Sequence, residues 1–453
     1  MSLEEEMLRL RKENELLRQQ LALYQQTVPV APEASAVAAP VLERPVESVQ
    51  PADEGGILWP TPGEAFWERA PRTSPAPLAP GGSSQPPAPR DPQPLHIVHL
   101  TAEMAPIAKV GGLGDVVTGL ARAALSRGHN VAVMLPFYQC LPPGEIEGLK
   151  HEMDVDVPKG YRWDGEMRGG IVYSNAVTTV SPTYAQEVLD GGAAGWLRST
   201  FARPELRSKF HGILNGIDYS EWDPASDPLL PANFDAERPA GKAACKEFLQ
   251  RGLGLEVNPR KPLVAVVSRL VPQKGIHLIR AALFRTLEAG GQFVLLGSGH
   301  SDPPFRQLAE GQFRDHPDVR LKIMYSERLA HQIYGAADVV VVPSMFEPCG
   351  LTQMIALRYG AVPLVRRTGG LADTVFDVDG PAAPPGSLGR NGFTFDGSDD
   401  GSLRGALDRA LALYREQPGR WEALSRGNMR LDVSWAKSAQ SYVDVYNSIA
   451  VRN

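Results

Sequence analysis

Two short stretches hold residues whose types and spacing suit chemistry on a phosphorylated ligand. "SRLVPQKG" (268–275) follows an apolar run and sets Arg269 and Lys274 in the connection to the next helix. Two cations there could neutralise a diphosphate as charge develops on it. A solvated surface pair is the competing reading for either residue alone. "FEPCGLTQ" (346–353) places Glu347, Pro348, Cys349 and Gly350 where a serine or aspartate cap would be ordinary. The first amides of a helix opening at Gly350-Leu351-Thr352 would face phosphate oxygens. Glu347, just outside, would accept hydrogen bonds from sugar hydroxyls. The alternative makes Glu347 a solvated loop acid and Cys349 a small buried filler.

Two more loops fit the same pattern. "KVGGLGD" (109–115) has glycines at 111, 112 and 114, which let a backbone approach a ligand, and Lys109 adds a point charge suited to phosphate. Its spacing is not that of the dinucleotide fingerprint, and a tight turn without ligand fits it equally. "GSG" (297–299) is a third glycine-bearing loop after a strand, weak alone.

These loops need elements to hold them. From residue 96, "HIVHLTAE", the glycine loop, "VVTGLARAALSRG" and "NVAVMLPFY" read as strand, loop, helix and strand, the opening of a doubly wound sheet. From 262, "PLVAVVSRL", "QFVLLGSG", "VRLKIM", "DVVVVPS" and "AVPLVRR" alternate with helical segments. That spacing predicts an α/β fold with a parallel sheet covered on both faces. A capped helix is expected from Ser434. Lys246 is expected on the surface.

The N-terminal part has a different texture. Leu3, Met7, Leu10, Asn14, Leu17, Leu21 and Tyr24 recur at alternating steps of four and three, a coiled-coil seam. A parallel homodimer and a single amphipathic helix both fit it. From Pro29 to Pro94 there are 16 prolines in 66 residues, the composition of a disordered linker. Within it "GGILWPTPGEAFWERA" reads as a docking segment or a loose apolar patch. The expected organisation is a coiled-coil helix (1–27), a linker (28–94), a first α/β domain (95–240), a second (241–433) and a terminal helix (434–453).

Bulk composition narrows the function. The chain has 453 residues, 43% hydrophobic and 22% charged, the make-up of an ordinary soluble globular protein. A net charge of −6 gives no reason to expect a nucleic acid as partner. Cys140, Cys245 and Cys349 are too few and scattered for a disulfide framework or a zinc cluster, which favours a reducing compartment. No apolar run reaches transmembrane length, and the N-terminus reads as neither a signal nor a transit peptide.

Taken together, "KVGGLGD", "NGIDYSEWDP" (215–224), "SRLVPQKG", "FEPCGLTQ" and "TGGLADTV" (368–375) closely resemble the glycogen and starch synthases over roughly residues 96–450. The resemblance implies a glycosyltransferase-B fold: two Rossmann-like domains around a cleft, with the terminal helix crossing back to the first. It implies a retaining transfer of glucose from ADP-glucose to the non-reducing end of an α-1,4-glucan, with no cofactor or metal. By motif match, Lys109, Gly111, Gly112 and Asp115 would line the cleft, and Asn215 would contact the donor sugar. Arg269 and Lys274 would hold the diphosphate, with Gly299 in the donor site and Tyr325 stacked on the base. Glu347 would bind sugar hydroxyls beside Cys349, Gly350, Leu351 and Thr352. The coiled coil and linker look most like the plastidial starch synthases of plants and green algae.

One departure stands out. Between "VMLPFYQC" and "IVYSNAVTTVSPTYAQEV" lie 30 residues (141–170) where the family carries roughly a hundred or more. The replacing stretch has one histidine, His151, which matches neither histidine motif of the family. The first domain is therefore expected to be incomplete. Two functions follow: a starch synthase-like glucosyltransferase, or a catalytically weak glucan- or nucleotide-sugar-binding scaffold. A transferase using another nucleotide sugar is a third.

Overall fold

The computed structural model describes residues 57–62, 65–72, 89–101, 103–105, 112–134 and 170–450. The coiled-coil stretch 1–27, and Lys109, Gly111 and His151, lie outside the described residues.

The strand-helix alternation from residue 262 builds one parallel sheet of six strands: β5 (Leu263–Val267), β6 (Gln292–Leu296), β7 (Val319–Lys322), β8 (Val339–Val342), β9 (Val362–Arg366) and β10 (Phe393–Phe395). Their order across the sheet is β10-β9-β8-β5-β6-β7. Side chains alternate faces along each strand. Leu263, Ala265, Val340 and Val342 join one apolar cluster, and Val264, Val266, Val339 and Val341 join another. Burial on both faces is why "LVAVV" and "VVVV" carry no polar alternation. The first cluster is closed by α3 (Ala240–Leu253) and α6 (Glu327–Ala336). The second is closed by α4 (Ile276–Glu288), α5 (Pro303–Glu310), α9 (Asp400–Glu416) and α10 (Pro418–Met429).

The first α/β unit is small. β1 (His96–Leu100) pairs in parallel with β2 (Asn130–Met134), and α1 (Gly112–Ser126) covers one face, while its Leu120 turns to Trp435 of the terminal helix. The opposite face leaves Val98, Leu100 and Met134 exposed, Leu100 by 79%. A separate parallel pair, β3 (Val177–Thr179) with β4 (Phe210–Gly212), flanks α2 (Pro182–Leu189). Among the described residues this half therefore holds two strand pairs rather than one broad sheet, in keeping with the short stretch between β2 and β3.

The chain end returns to this half. Ile217 N–H donates to the Val433 carbonyl at 2.9 Å, and α11 (Trp435–Ile449) then packs along α1. A side chain at Gly119 would collide with the Trp435 indole, so the helices meet only because 119 is glycine.

Within the stretch expected to be linker, the segment that carries the two tryptophans has defined structure at 57–62 and 65–72 and packs on the second domain. Ile57 bridges Arg72 in antiparallel fashion, and Leu58 N–H donates to the Pro71 carbonyl at 2.9 Å. Phe66 is 3% exposed and fills a notch over Gly252 of α3, against the edge of Phe248. Proline content predicted disorder here, but two buried aromatics, Phe66 and Trp67, with half-buried Trp59 beside them, outweigh the entropy of ordering the strap.

Candidate active-site cleft

β5 leads outward to β6 and β7 in one direction, while β8, β9 and β10 lie on its other side. Between β5 and β8 the chain order reverses, and the connections there leave a crevice at the carboxyl ends of the strands. The loop after β5 (268–275) and the loop after β8 (343–351) meet in it. Met345 N–H donates to the Gln273 carbonyl at 2.7 Å, and Gln273 Nε2 donates to the Phe346 carbonyl at 3.1 Å. Gly275 has φ 70°, and a Cβ there would strike the Pro343 carbonyl. The "TGG" after β9 seals the loop's other side, where Gly370 N–H donates to the Glu347 carbonyl at 3.0 Å. Side chains at 369 or 370 would collide with the 347–349 backbone.

This stitching brings Lys274 and Glu347 together. Lys274 Nζ donates to Glu347 Oε2, which also accepts from Ser344 Oγ at 2.8 Å. The side chains are 17% and 10% exposed, so the acid does not serve as a helix cap or a solvated loop group. The helix behind it, α7 (Thr352–Arg358), starts with no side-chain cap. Burial pushes the Cys349 thiol up to about 12, while a hydrogen bond from the Asn215 backbone works against this. The thiol is thus neutral and unreactive at pH 7. Asn215 itself is buried, and its Oδ1 has no hydrogen-bond partner among the described residues.

Two cavities flank these loops. One, of about 240 Å³, is lined by Arg269, Ser298, Tyr325, Tyr334 and Thr352. The other, of about 400 Å³, is lined by Asp115, Arg122, Asp218, Leu351 and Trp435. Trp222, Glu327 and Ile355 belong to both, so the two form one trough between the halves of the molecule. Arg122 of α1 grips Asp218 at 2.6 Å across it. Burial opposes charge on Asp218, but hydrogen bonds from Ser220 and Arg122 outweigh it and hold the carboxyl below its usual range.

The halves are also locked beside the Glu347 loop. Thr183 N–H and Oγ1 donate to Asp373 at 2.8 and 2.7 Å, and Gly369 N–H donates to Glu187 at 3.0 Å. The helices α2 and α8 (Gly369–Thr374) thus each cap the other's N-terminus. Ser181 Oγ adds a 2.6 Å bond to the Pro348 carbonyl.

Of the site residues expected from sequence, Arg269, Tyr325 and Thr352 line the smaller cavity, and Asp115 and Leu351 the larger. Lys274, Glu347, Cys349 and Gly350 form the stitched loop, and Gly112 opens α1. Gly299 lines neither cavity: its backbone abuts the Leu270 carbonyl, and Gly297 and Ser298 face the cavity instead. Sequence reasoning missed Trp222, Glu327, Tyr334 and Arg122. Trp222 was within reach, since it sits inside "NGIDYSEWDP".

Comparison with known proteins identifies the family and the fold. Residues 96–164 and 146–200 match the starch synthase catalytic domain family, and 254–425 match glycosyl transferases group 1. Glycogen synthase of Protochlamydia amoebophila is 32% identical, over 79% of this chain and its own full length. The probable starch synthase 4 of Arabidopsis thaliana, chloroplastic/amyloplastic, is 36% identical over 490 residues. That match takes in 78% of this chain but 47% of the relative, so the chain spans about half the relative's length. As 78% of 453 is about 353, about 137 of those 490 positions have no residue here. The catalytic domain of starch synthase IV from Arabidopsis, solved with ADP and acarbose, superposes with a TM-score of 0.71 at 35% identity. It covers 79% of this chain and 99% of that one. The chain belongs to the starch and glycogen synthase family of glycosyltransferases, built on the glycosyltransferase-B fold.

Proposed function

We propose that this chain moves glucose from ADP-glucose to the non-reducing end of an α-1,4-glucan, in a plastid. The observation that carries the reading is the Lys274–Glu347 pair at the reversal point of the sheet, beside a cavity that Arg269 and Tyr325 line. In this reading Tyr325 stacks on the adenine, and Arg269 and Lys274 take up the charge that develops on the diphosphate as the glycosidic bond breaks. When Lys274 turns to phosphate, Glu347 Oε2 is released to accept hydrogen bonds from glucose hydroxyls. The relative solved with ADP and acarbose, and the plastidial relatives, support the donor, acceptor and compartment.

The incomplete first half bears on turnover. Transfer needs the sugar held in line with an acceptor hydroxyl by groups on the opposite wall, and small misplacement is costly. ADP should therefore bind while synthesis is strongly reduced. Calorimetry with ADP and incorporation of labelled glucose into glycogen, on one preparation, tests both. No ADP binding would end the proposal, and family-like turnover would show that another local group supplies the missing wall. Comparing ADP with UDP in the same cell tests the base.

The exposed Val98, Leu100 and Met134 favour a second reading, a glucan- or nucleotide-sugar-binding scaffold with little catalysis. Glucan binding without labelled-glucose incorporation would select it.

A further inference from the structure

The strap described at 57–62 and 65–72 grips the molecule beside the smaller cavity. Lys322 ends β7 and Arg328 lies in the first turn of α6. Between them, Met324, Tyr325, Ser326 and Glu327 line the cavity. Trp67 holds both flanks of this loop. Lys322 Nζ sits over its ring, 5.1 Å from the centroid, and Arg328 Nε donates to its backbone carbonyl at 2.8 Å. The indole N–H has no partner among the described residues, so the ring contributes its face rather than a donor. Trp67 is itself anchored: its ring meets Phe66 edge-on at 5.2 Å, and Phe66 is seated in the Gly252 notch. A five-residue loop with both ends held loses less freedom when a ligand binds, which is preorganisation.

We propose that Trp67 is a positioning residue for the nucleotide site: by holding Lys322 and Arg328 it fixes the loop 323–327 that presents Tyr325. The strap upstream of the first strand thereby tunes nucleotide affinity without touching the ligand. This rests on the cavity being the nucleotide site, as proposed above.

The test uses the full chain with Trp67→Ala, Trp67→Phe and Lys322→Met. Trp67→Ala is expected to weaken ADP binding roughly three- to tenfold, an effect typical of coupling through a packed contact. It should also speed amide exchange in 323–329 while leaving 400–416 unchanged. Trp67→Phe keeps a ring beneath Lys322 and should restore most of both effects. Lys322→Met removes the cation but keeps the stem, and carries the test if Trp67→Ala fails to fold. Unchanged exchange in 323–329 overturns the proposal. So does faster local exchange with ADP affinity intact. Should the unaltered chain not bind ADP, the reading of the cavity fails, and exchange alone still decides whether Trp67 fixes the loop.

Discussion

Trp222 and His331 lie face to face, ring centroids 3.9 Å apart and planes inclined by 12°. His331 Nδ1 is 2.8 Å from Asp227 Oδ2, which also accepts from the Tyr359 hydroxyl at 2.6 Å. The imidazole, carboxylate and phenol are all buried. A buried polar network thus sets one face of the indole that walls both cavities. Satisfied networks of this kind rigidify what they touch.

His331→Ala removes the ring behind Trp222 and takes away one of the partners of buried Asp227, which keeps the Tyr359 hydroxyl. It should cost about 2–4 kcal/mol of stability, combining a cavity with a lost aromatic contact. ADP affinity should fall, because the indole loses its backing. Urea unfolding and calorimetry read the two effects. A variant as stable as the parent, with equal affinity, would show that the stack positions nothing.

Removing a phosphate-facing cation should have a separate signature. Arg269→Ala and Lys274→Ala should each weaken ADP binding by roughly 2–4 kcal/mol, as for loss of a desolvated charge partner. Exposed Arg314 is the control and should matter little when replaced. Glu347→Gln differs in sign: it frees Lys274, so ADP binding should hold or tighten while glucose transfer falls. Equal, small effects at all these positions would remove the loops from the site.

Lys246 behaves unlike the surface residue expected from sequence. Its Nζ pairs with Asp338 at 2.7 Å and meets the Tyr414 hydroxyl and two carbonyls, with 7% of the side chain exposed. An amphipathic helix position next to a charged run reads as solvated until the sheet end packs over it. Lys246→Ala should destabilise the protein by about 3–5 kcal/mol, the cost of stranding one partner of a buried pair. Thermal unfolding checks it, and a melting temperature unchanged from the parent would contradict the burial.

Acid should expose another pair. Burial opposes charge on Asp377, but Arg409 and the amides of Thr394 and Asp379 outweigh it and bring the carboxyl down to about 2. A carboxyl depressed in the folded state stabilises fully above its ordinary value, and that stabilisation is lost as pH falls through about 2. Arg409 is 38% exposed, so screening reduces the effect to about 1 kcal/mol at neutral pH. Asp377→Asn should remove that increment and flatten the stability profile between pH 4 and 2. An unaltered acid limb would refute it.

The heptad stretch makes a claim that needs only a peptide. In the heptad register of that seam Glu6 and Glu13 of one helix would face Arg11 and Arg18 of a partner; if these charges and Asn14 set a parallel dimer, residues 1–30 should gain helicity with concentration. Concentration-independent circular dichroism would leave a single helix.

Features carried by local patterns show in the sequence alone. The strands of the second domain are legible because double burial leaves unbroken apolar runs such as "LVAVV" and "VVVV". The loops after them are legible because glycine and proline mark strand-helix turns. The short 141–170 stretch announced a first half that carries two strand pairs among the described residues. What the tertiary structure decided are relationships between residues far apart in the chain. Lys274 meets Glu347 because β8 lies beside β5, an order that no local periodicity encodes. Gly299 lies against the Leu270 carbonyl, a close approach that composition cannot foretell. The aromatic strap looked like linker because its stability comes from the Gly252 notch, some 185 residues away, and from Lys322 and Arg328. Hydrophobic pattern and turn chemistry act between near neighbours, whereas charge pairing and ring packing depend on which distant surfaces the fold brings together.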